Sequence, residues 1–215
     1  MCIRDSTDFA SDCGVIVNSA DESLLAGGAV NAAVASAGGK EFADACKAVE
    51  SFKRLDNVRC PTGGAELIDF GEGSCGKLNA HCVIQAVAPD FAHSKEAKKH
   101  RKTKTIPSKT RKEVLDVVNK VSLKQIALPL LSTGSLESDE MSPFVKTAMK
   151  TICEWGSNTN SKVEDVVLCG YTPSATKTIL AVCDKVLRGN VKASVAQLHH
   201  LLELSTLAWS QQVLF

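Results

Sequence analysis

The sequence predicts an α/β domain with a mixed, mainly parallel sheet and helices on both faces. Three observations carry this. Short apolar runs, rich in β-branched residues, recur at Val15-Ile16-Val17, Gln125 to Leu131 and Val166 to Gly170; continuous apolarity over so few residues marks strands buried on both faces. Longer segments of helical composition separate them, and strands alternating with helices form such sheets. Polar or glycine-bearing turns leave the strand ends at Asn18 to Gly28, Ser132 to Glu137 and Tyr171-Thr172-Pro173.

Taken in order, Val15 to Val17 forms the first strand, and Gly27-Gly28 lead into a helix of small residues from Ala29 to Ala37. Gly38-Gly39 should end that helix, and a second is expected from Lys40 to Lys53. Residues Ala65 to Phe70 and Ala80 to Val87 read as two strands. Between them, Gly71 to Gly76 spells GxGxxG. A dinucleotide fingerprint must open a helix, whereas Lys77-Leu78-Asn79 runs into another strand, so a hairpin-like connection is expected. A helix is predicted from Lys112 to Val121, a strand from Gln125, a helix starting near Pro143, a strand at Val166 to Gly170 and a helix from Ser174 to Leu187. A tail helix should follow, within residues 189–215. Met1 to Ser6 reads as the translation of a transposase adapter from sequencing libraries. The domain proper is then expected over 7–188, with an N-terminal strand missing.

Composition narrows the function. The 215 residues carry 25 Lys+Arg against 24 Asp+Glu, so no whole-molecule field for nucleic acid exists. From Lys95 to Lys112 there are nine Lys/Arg without an interleaved aromatic. The segment reads first as a solvated loop and second as a contact for a polyanion, since base stacking has no platform there. The nine cysteines form no CxxC pair and lie mostly in apolar runs, which points to reduced, buried thiols in the cytoplasm or nucleus. No apolar run approaches the roughly 18 residues of a membrane span. None of the five histidines has a visible Ser or Cys partner, and His199-His200 reads as a surface pair. No metal or cofactor is expected.

Ligands of open α/β sheets bind beyond the carboxyl ends of the strands. The helix opened by Gly27-Gly28 presents free amides and a positive dipole end to an anion. Ser132-Thr133-Gly134 offers hydroxyls and amides from a second side. Two such loops facing each other could hold a diphosphate.

At these residues the chain resembles the macro domain family. Val15-Ile16-Val17-Asn18-Ser19-Ala20-Asp21 is similar to the family's strand ending in V-N-A-A-N, and Leu24 to Val30 to its glycine-rich loop. Cys60-Pro61-Thr62-Gly63-Gly64-Ala65 is similar to P-T-G-E-A, Val83 to Pro89 to V-I-H-x-V-G-P, and Ile126 to Gly134 to I-A-F-P-A-L-S-T-G. The blocks keep the family's order and spacing over about residues 8 to 188. The resemblance implies a three-layer α/β/α sandwich that binds ADP-ribose, free or attached to protein. It places Asp8 at the adenine, Gly27, Gly28, Ala29 and Val30 at the diphosphate, and Ser132, Thr133, Gly134, Ser135 and Leu136 over the phosphates and ribose. Tyr171 falls near the adenine, and Asn18, Asp21 and Asn31 near the distal ribose.

The departures bear on chemistry. Hydrolases of the family carry an asparagine where Asp21 stands and an aspartate where Asn31 stands. A carboxamide at Asn31 cannot serve as a general base. Asp21 could supply a carboxylate from the neighbouring loop or simply bond its own turn. Glu137 replaces a glycine; a like charge about 6 Å from a dianion costs roughly 3 kcal/mol at an effective dielectric of 20, up to about a hundredfold in affinity. Gln85 replaces a histidine, with structural consequences expected. The preferred function is therefore a non-catalytic ADP-ribose reader, and Gly38 to Phe42 also resembles the macro domains of histone variants. The alternatives are a hydrolase or deacetylase acting on ADP-ribose adducts through Asp21, and a degenerate fold that contacts protein or nucleic acid.

Overall fold

The computed structural model describes residues 14–25, 27–51, 57–70, 75–78, 80–89, 105–120, 124–133, 138–158, 163–170 and 172–189. The adapter-like start, Asp8, Gly71 to Ser74, residues 95–104, Gly134 to Glu137, Tyr171 and the predicted tail helix lie outside them.

Five strands form one sheet: β1 Gly14–Ser19, β2 Ala65–Asp69, β3 Cys82–Ala86, β4 Gln125–Pro129 and β5 Asp165–Cys169, in the order β2-β3-β1-β4-β5. β1 is parallel to β3 and to β4, and β4 is parallel to β5. Among the described strands only β2 runs against its neighbour, pairing Ala65 to Asp69 with Ala86 to Cys82. The connection expected around the GxGxxG stretch thus joins two antiparallel neighbours, and its described residues 75–78 form a turn with Cys75 bridged to Leu78.

Alternation of side chains puts Val15 and Val17 on one face of β1 and Ile16 on the other. The first face packs Ile84, Ile126, Leu128 and Leu168 against Leu115, Val118, Val145, Met149 and Ile179. These come from helices α2 (Thr105–Lys120), α3 (Ser138–Asn158) and α4 (Pro173–Gly189). On the second face Ile16, Ile68 and Val83 meet Val34, Phe42 and Cys46 of α1 (Ala29–Ala48). Helices cover both faces, giving three layers.

The break expected at Gly38-Gly39 is present: within the span of α1, Gly39 is non-helical at φ 60° and ψ −146° and divides it into two helical stretches. A Cβ on Gly38 would sit 2.5 Å from Phe42 Cβ and 2.9 Å from Leu78 Cδ1, so the glycine is there for close packing. Carbonyls loosened by the kink find donors in the 75–78 turn: Lys77 N–H reaches Ala37 O at 2.7 Å, and Cys75 Sγ reaches Gly38 O at 3.5 Å. Two other boundaries differ from expectation, at the starts of α2 and α3. α2 begins at Thr105 rather than Lys112, with Pro107 in the first turn, where a missing N–H costs little. α3 begins at Ser138, so Pro143 lies inside it and not in its first turn.

All seven described cysteines are free. Burial pushes Cys82 up to about 12 and Cys60 and Cys183 to about 11, so these thiols stay protonated and unreactive. Among the described residues, no helix is long and apolar enough to cross a membrane.

Candidate functional site

β1 and β4 are parallel neighbours whose outgoing helices diverge, α1 to one face of the sheet and α3 to the other. A crevice beyond the carboxyl ends of such a strand pair is where open α/β sheets take their ligands. Ile16 stands opposite Ala127. The 20–28 and 130–133 segments therefore leave the sheet about one strand spacing apart, roughly 5 Å.

The first segment is tied down from several directions. Asp21 Oδ1 accepts the N–H and hydroxyl of Ser23 at 3.0 and 2.6 Å, and Ser23 Oγ accepts Leu25 N–H at 3.1 Å. The Glu22 carbonyl accepts the amides of Arg59 and Cys60 at 2.7 and 3.2 Å, and its carboxylate accepts the amide and hydroxyl of Thr62 at 2.8 and 2.7 Å. Arg59 donates to Ser23 O at 3.2 Å, and Gln85 Nε2 to Leu24 O at 3.1 Å. Leu24, with φ 61°, is only 1% exposed, and it anchors the bend in the core beside α1.

The segment delivers the chain to α1 through two glycines with different duties. A Cβ on Gly27 would lie 2.8 Å from both Ser19 O and Asn31 Cβ, so backbone and helix approach too closely for a side chain. Among the described residues, a Cβ on Gly28 would meet nothing within 4 Å. Gly28 is the N-cap, extended at φ −76°, with no side-chain cap, and the first turn carries no acid. Among the described residues, the first-turn amides of α1, around Ala29 and Val30, thus open onto free space with the positive end of the helix that runs to the break at Gly39 behind them.

Beneath them lies a buried chain of carboxamides. Asn18, 0% exposed, donates to Asn31 Oδ1 at 2.6 Å and to Gln85 Oε1 at 2.7 Å, with Gln85 its register partner on β3. Gln85 also reaches Cys46 Sγ at 3.3 Å. This network holds the Asn31 side chain in one orientation, its oxygen already engaged. Gln85 therefore joins strand, loop and helix. Asn18 was the signal in the sequence, since a buried carboxamide on an interior strand needs a partner.

The second segment contrasts with the first. Ser132 adopts φ 68°, a left-handed conformation that costs a residue with a Cβ about 1–2 kcal/mol. Its buried Oγ has no hydrogen-bond partner. Thr133 is buried and donates its hydroxyl to Leu130 O at 2.6 Å. Behind this turn stands Arg111 of α2, 0% exposed, which donates Nη2 to Leu131 O at 3.4 Å. Nε and Nη1 have no partner. Burial lowers its pKa to about 10, leaving it a cation at neutral pH. Arg111 is thus removed from the basic segment read as a solvated loop or polyanion contact, because its guanidinium faces the protein interior. Sequence gave no sign of this, nor of the Glu22, Arg59 and Thr62 clamp.

Gly27, Gly28, Ala29, Val30, Asn18, Asn31 and Asp21 are thus gathered around the end of β1, and Ser132 and Thr133 around the end of β4. The arrangement can receive an anion between two backbone turns. Among the described residues it shows no acid–base pair. Asp21 is exposed and serves its own turn, and Asn31 is a neutral amide.

Comparison with known proteins agrees with this architecture. A macro domain-containing protein of Vibrio parahaemolyticus is 34% identical over 119 residues, 55% of this chain and 62% of that protein. The O-acetyl-ADP-ribose deacetylase of Escherichia fergusonii is 34% identical over 133 residues, 60% of this chain and 64% of that protein. The chain thus spans under two thirds of the length of these curated relatives. The crystal structure of the Trypanosoma brucei macrodomain in complex with ADP-ribose shares the fold, with a TM-score of 0.62 at 19% identity, over 85% of this chain and 67% of that one. The sequence profile of the Macro domain matches residues 17–140, more than half of the chain. The chain belongs to the macro domain family.

Proposed function

We propose that this chain binds ADP-ribose, free or attached to protein, and acts as a reader of that group rather than as a hydrolase. The observation that carries the reading is the uncapped N-terminus of α1. Its amides open onto free space at Gly28, one strand away from the Ser132 turn. A diphosphate has the charge and length to bridge two such turns. The Trypanosoma brucei relative, solved with ADP-ribose, supports the choice of ligand.

The reader assignment rests on the chemistry of two side chains. Asn31 cannot take a proton, and the Asp21 carboxylate is occupied by Ser23. Hydrolysis would require Asp21 to leave its turn. Calorimetry with ADP-ribose tests binding; no heat of binding would leave only a degenerate fold. Incubation with a mono-ADP-ribosylated protein tests catalysis. Release of ADP-ribose that disappears in Asp21→Ala would replace the reader by a hydrolase. The free cysteines fit a cytoplasmic or nuclear setting. A polyanion contact through the remaining basic residues of Lys95 to Lys112 is retained as a secondary proposal, without Arg111.

A further inference from the structure

We propose that Arg111 is a positioning residue for the anion, a cation kept inside the protein behind the β4–α3 turn whose counter-charge is the diphosphate of the ligand. This rests on the ADP-ribose reading and adds to it a residue outside both glycine-bearing loops. Charges are rarely buried unless paired, because desolvation is costly. Arg111 is 0% exposed, and among the described residues its one acceptor is a long bond to the Leu131 carbonyl. Two of its nitrogens have no partner.

The same turn carries two further costs. Ser132, next to Leu131, is held in a left-handed backbone with its buried hydroxyl unpartnered. Three unsatisfied buried polar atoms and a strained residue therefore meet at one point, beyond the end of β4 and beside β1. Elsewhere around the cleft, Asn18 Oδ1 and Arg59 Nε also lack a partner, but each belongs to a side chain otherwise hydrogen-bonded and neither is an unpaired buried charge as Arg111 is, so the deficit is largest at the second turn. Unfavourable features collected at a functional turn are expected where a ligand supplies the missing interaction. What the ligand supplies to Arg111 is its negative charge, across the turn. Arg111 holds the Leu131 carbonyl from behind, which sets the course of the backbone into Ser132 and Thr133.

The test separates this role from a structural one by its sign. R111M removes an unpaired buried charge while keeping side-chain length. The free variant should therefore melt no lower than the wild type, and ADP-ribose affinity should fall roughly tenfold or more. R111K keeps the charge and should lose less affinity than R111M. A lower melting temperature or failure to fold in R111M would mark a structural residue and overturn the proposal. So would unchanged affinity, or equal losses in R111M and R111K. If the wild type does not bind ADP-ribose, the functional reading fails by itself, and inorganic pyrophosphate becomes the probe. Pyrophosphate binding that weakens in R111M sustains the role of Arg111, whereas no pyrophosphate binding or binding indifferent to R111M overturns it.

Discussion

The segments that leave β1 and β4 lie side by side, yet they are built in opposite ways. The first, residues 20–28, has its polar groups answered from within the protein: Ser23 closes on Asp21, Thr62 on Glu22, Arg59 on Ser23 and Gln85 on Leu24. Each segment holds one left-handed residue, Leu24 and Ser132, but the second, residues 130–133, keeps an unpaired buried hydroxyl and stands before a buried arginine with two idle nitrogens. One turn is rigid before any ligand arrives; the other holds interactions in deficit. A pre-set amide end and a turn that gains by binding are complementary means of lowering the cost of ordering a ligand.

The largest expected effect breaks the comparison at its rigid side. Gly28→Glu places a carboxylate at the N-terminus of α1, where it occupies the amides and repels a diphosphate. Calorimetry should show ADP-ribose affinity falling more than about a hundredfold. The melting temperature should hold or rise slightly, because the new side chain enters open space at an ordinary φ and favours the helix dipole. Unchanged affinity would move the ligand elsewhere.

Next in size is Gln85→Leu, which strips partners from Asn18 and Leu24 O together. Denaturant unfolding should report a loss of about 2–3 kcal/mol, the usual penalty for leaving buried polar groups unpaired. A neutral result would mean that the carboxamide chain does not tie loop to sheet.

Gly27→Ala should be milder but still destabilising, by about 1–3 kcal/mol, because its Cβ meets Ser19 O and Asn31 Cβ at 2.8 Å. The neighbouring glycines thus separate by experiment: position 27 governs the fold, and position 28 governs the ligand.

The smallest effect carries the opposite sign. Ser132→Gly relieves the positive φ and removes an unpaired hydroxyl, at the cost of extra chain entropy. A gain of roughly 0.5–1 kcal/mol is expected in thermal unfolding of the free protein. A loss of stability would show that the second turn holds no strain, and the contrast between the loops would disappear.

Much of this architecture was legible in the sequence. Apolar runs at Val15 to Val17 and Gln125 to Leu131 could bury both faces only inside a parallel sheet, and the glycines after β1 announced a helix start at Ala29. Gly38-Gly39 also marked a true break, since Gly39 leaves helical geometry and the 75–78 turn supplies donors to the carbonyls freed there. Reading failed at helix starts. Pro143 looked like a first-turn residue, yet the helix starts five residues earlier at Ser138.

The site divides along the same line. Sequence by itself determined which backbone turns carry glycine or hydroxyl groups and that position 31 holds an amide instead of an acid, because residue type and local geometry are properties of short stretches. Only the tertiary structure decided that Asp21 bonds to Ser23, that Gln85 reaches Leu24, and that Arg111, one cation among nine in a basic stretch, turns inward beneath Leu131. Burial and partnership depend on what the rest of the chain brings alongside, and no local pattern encodes that.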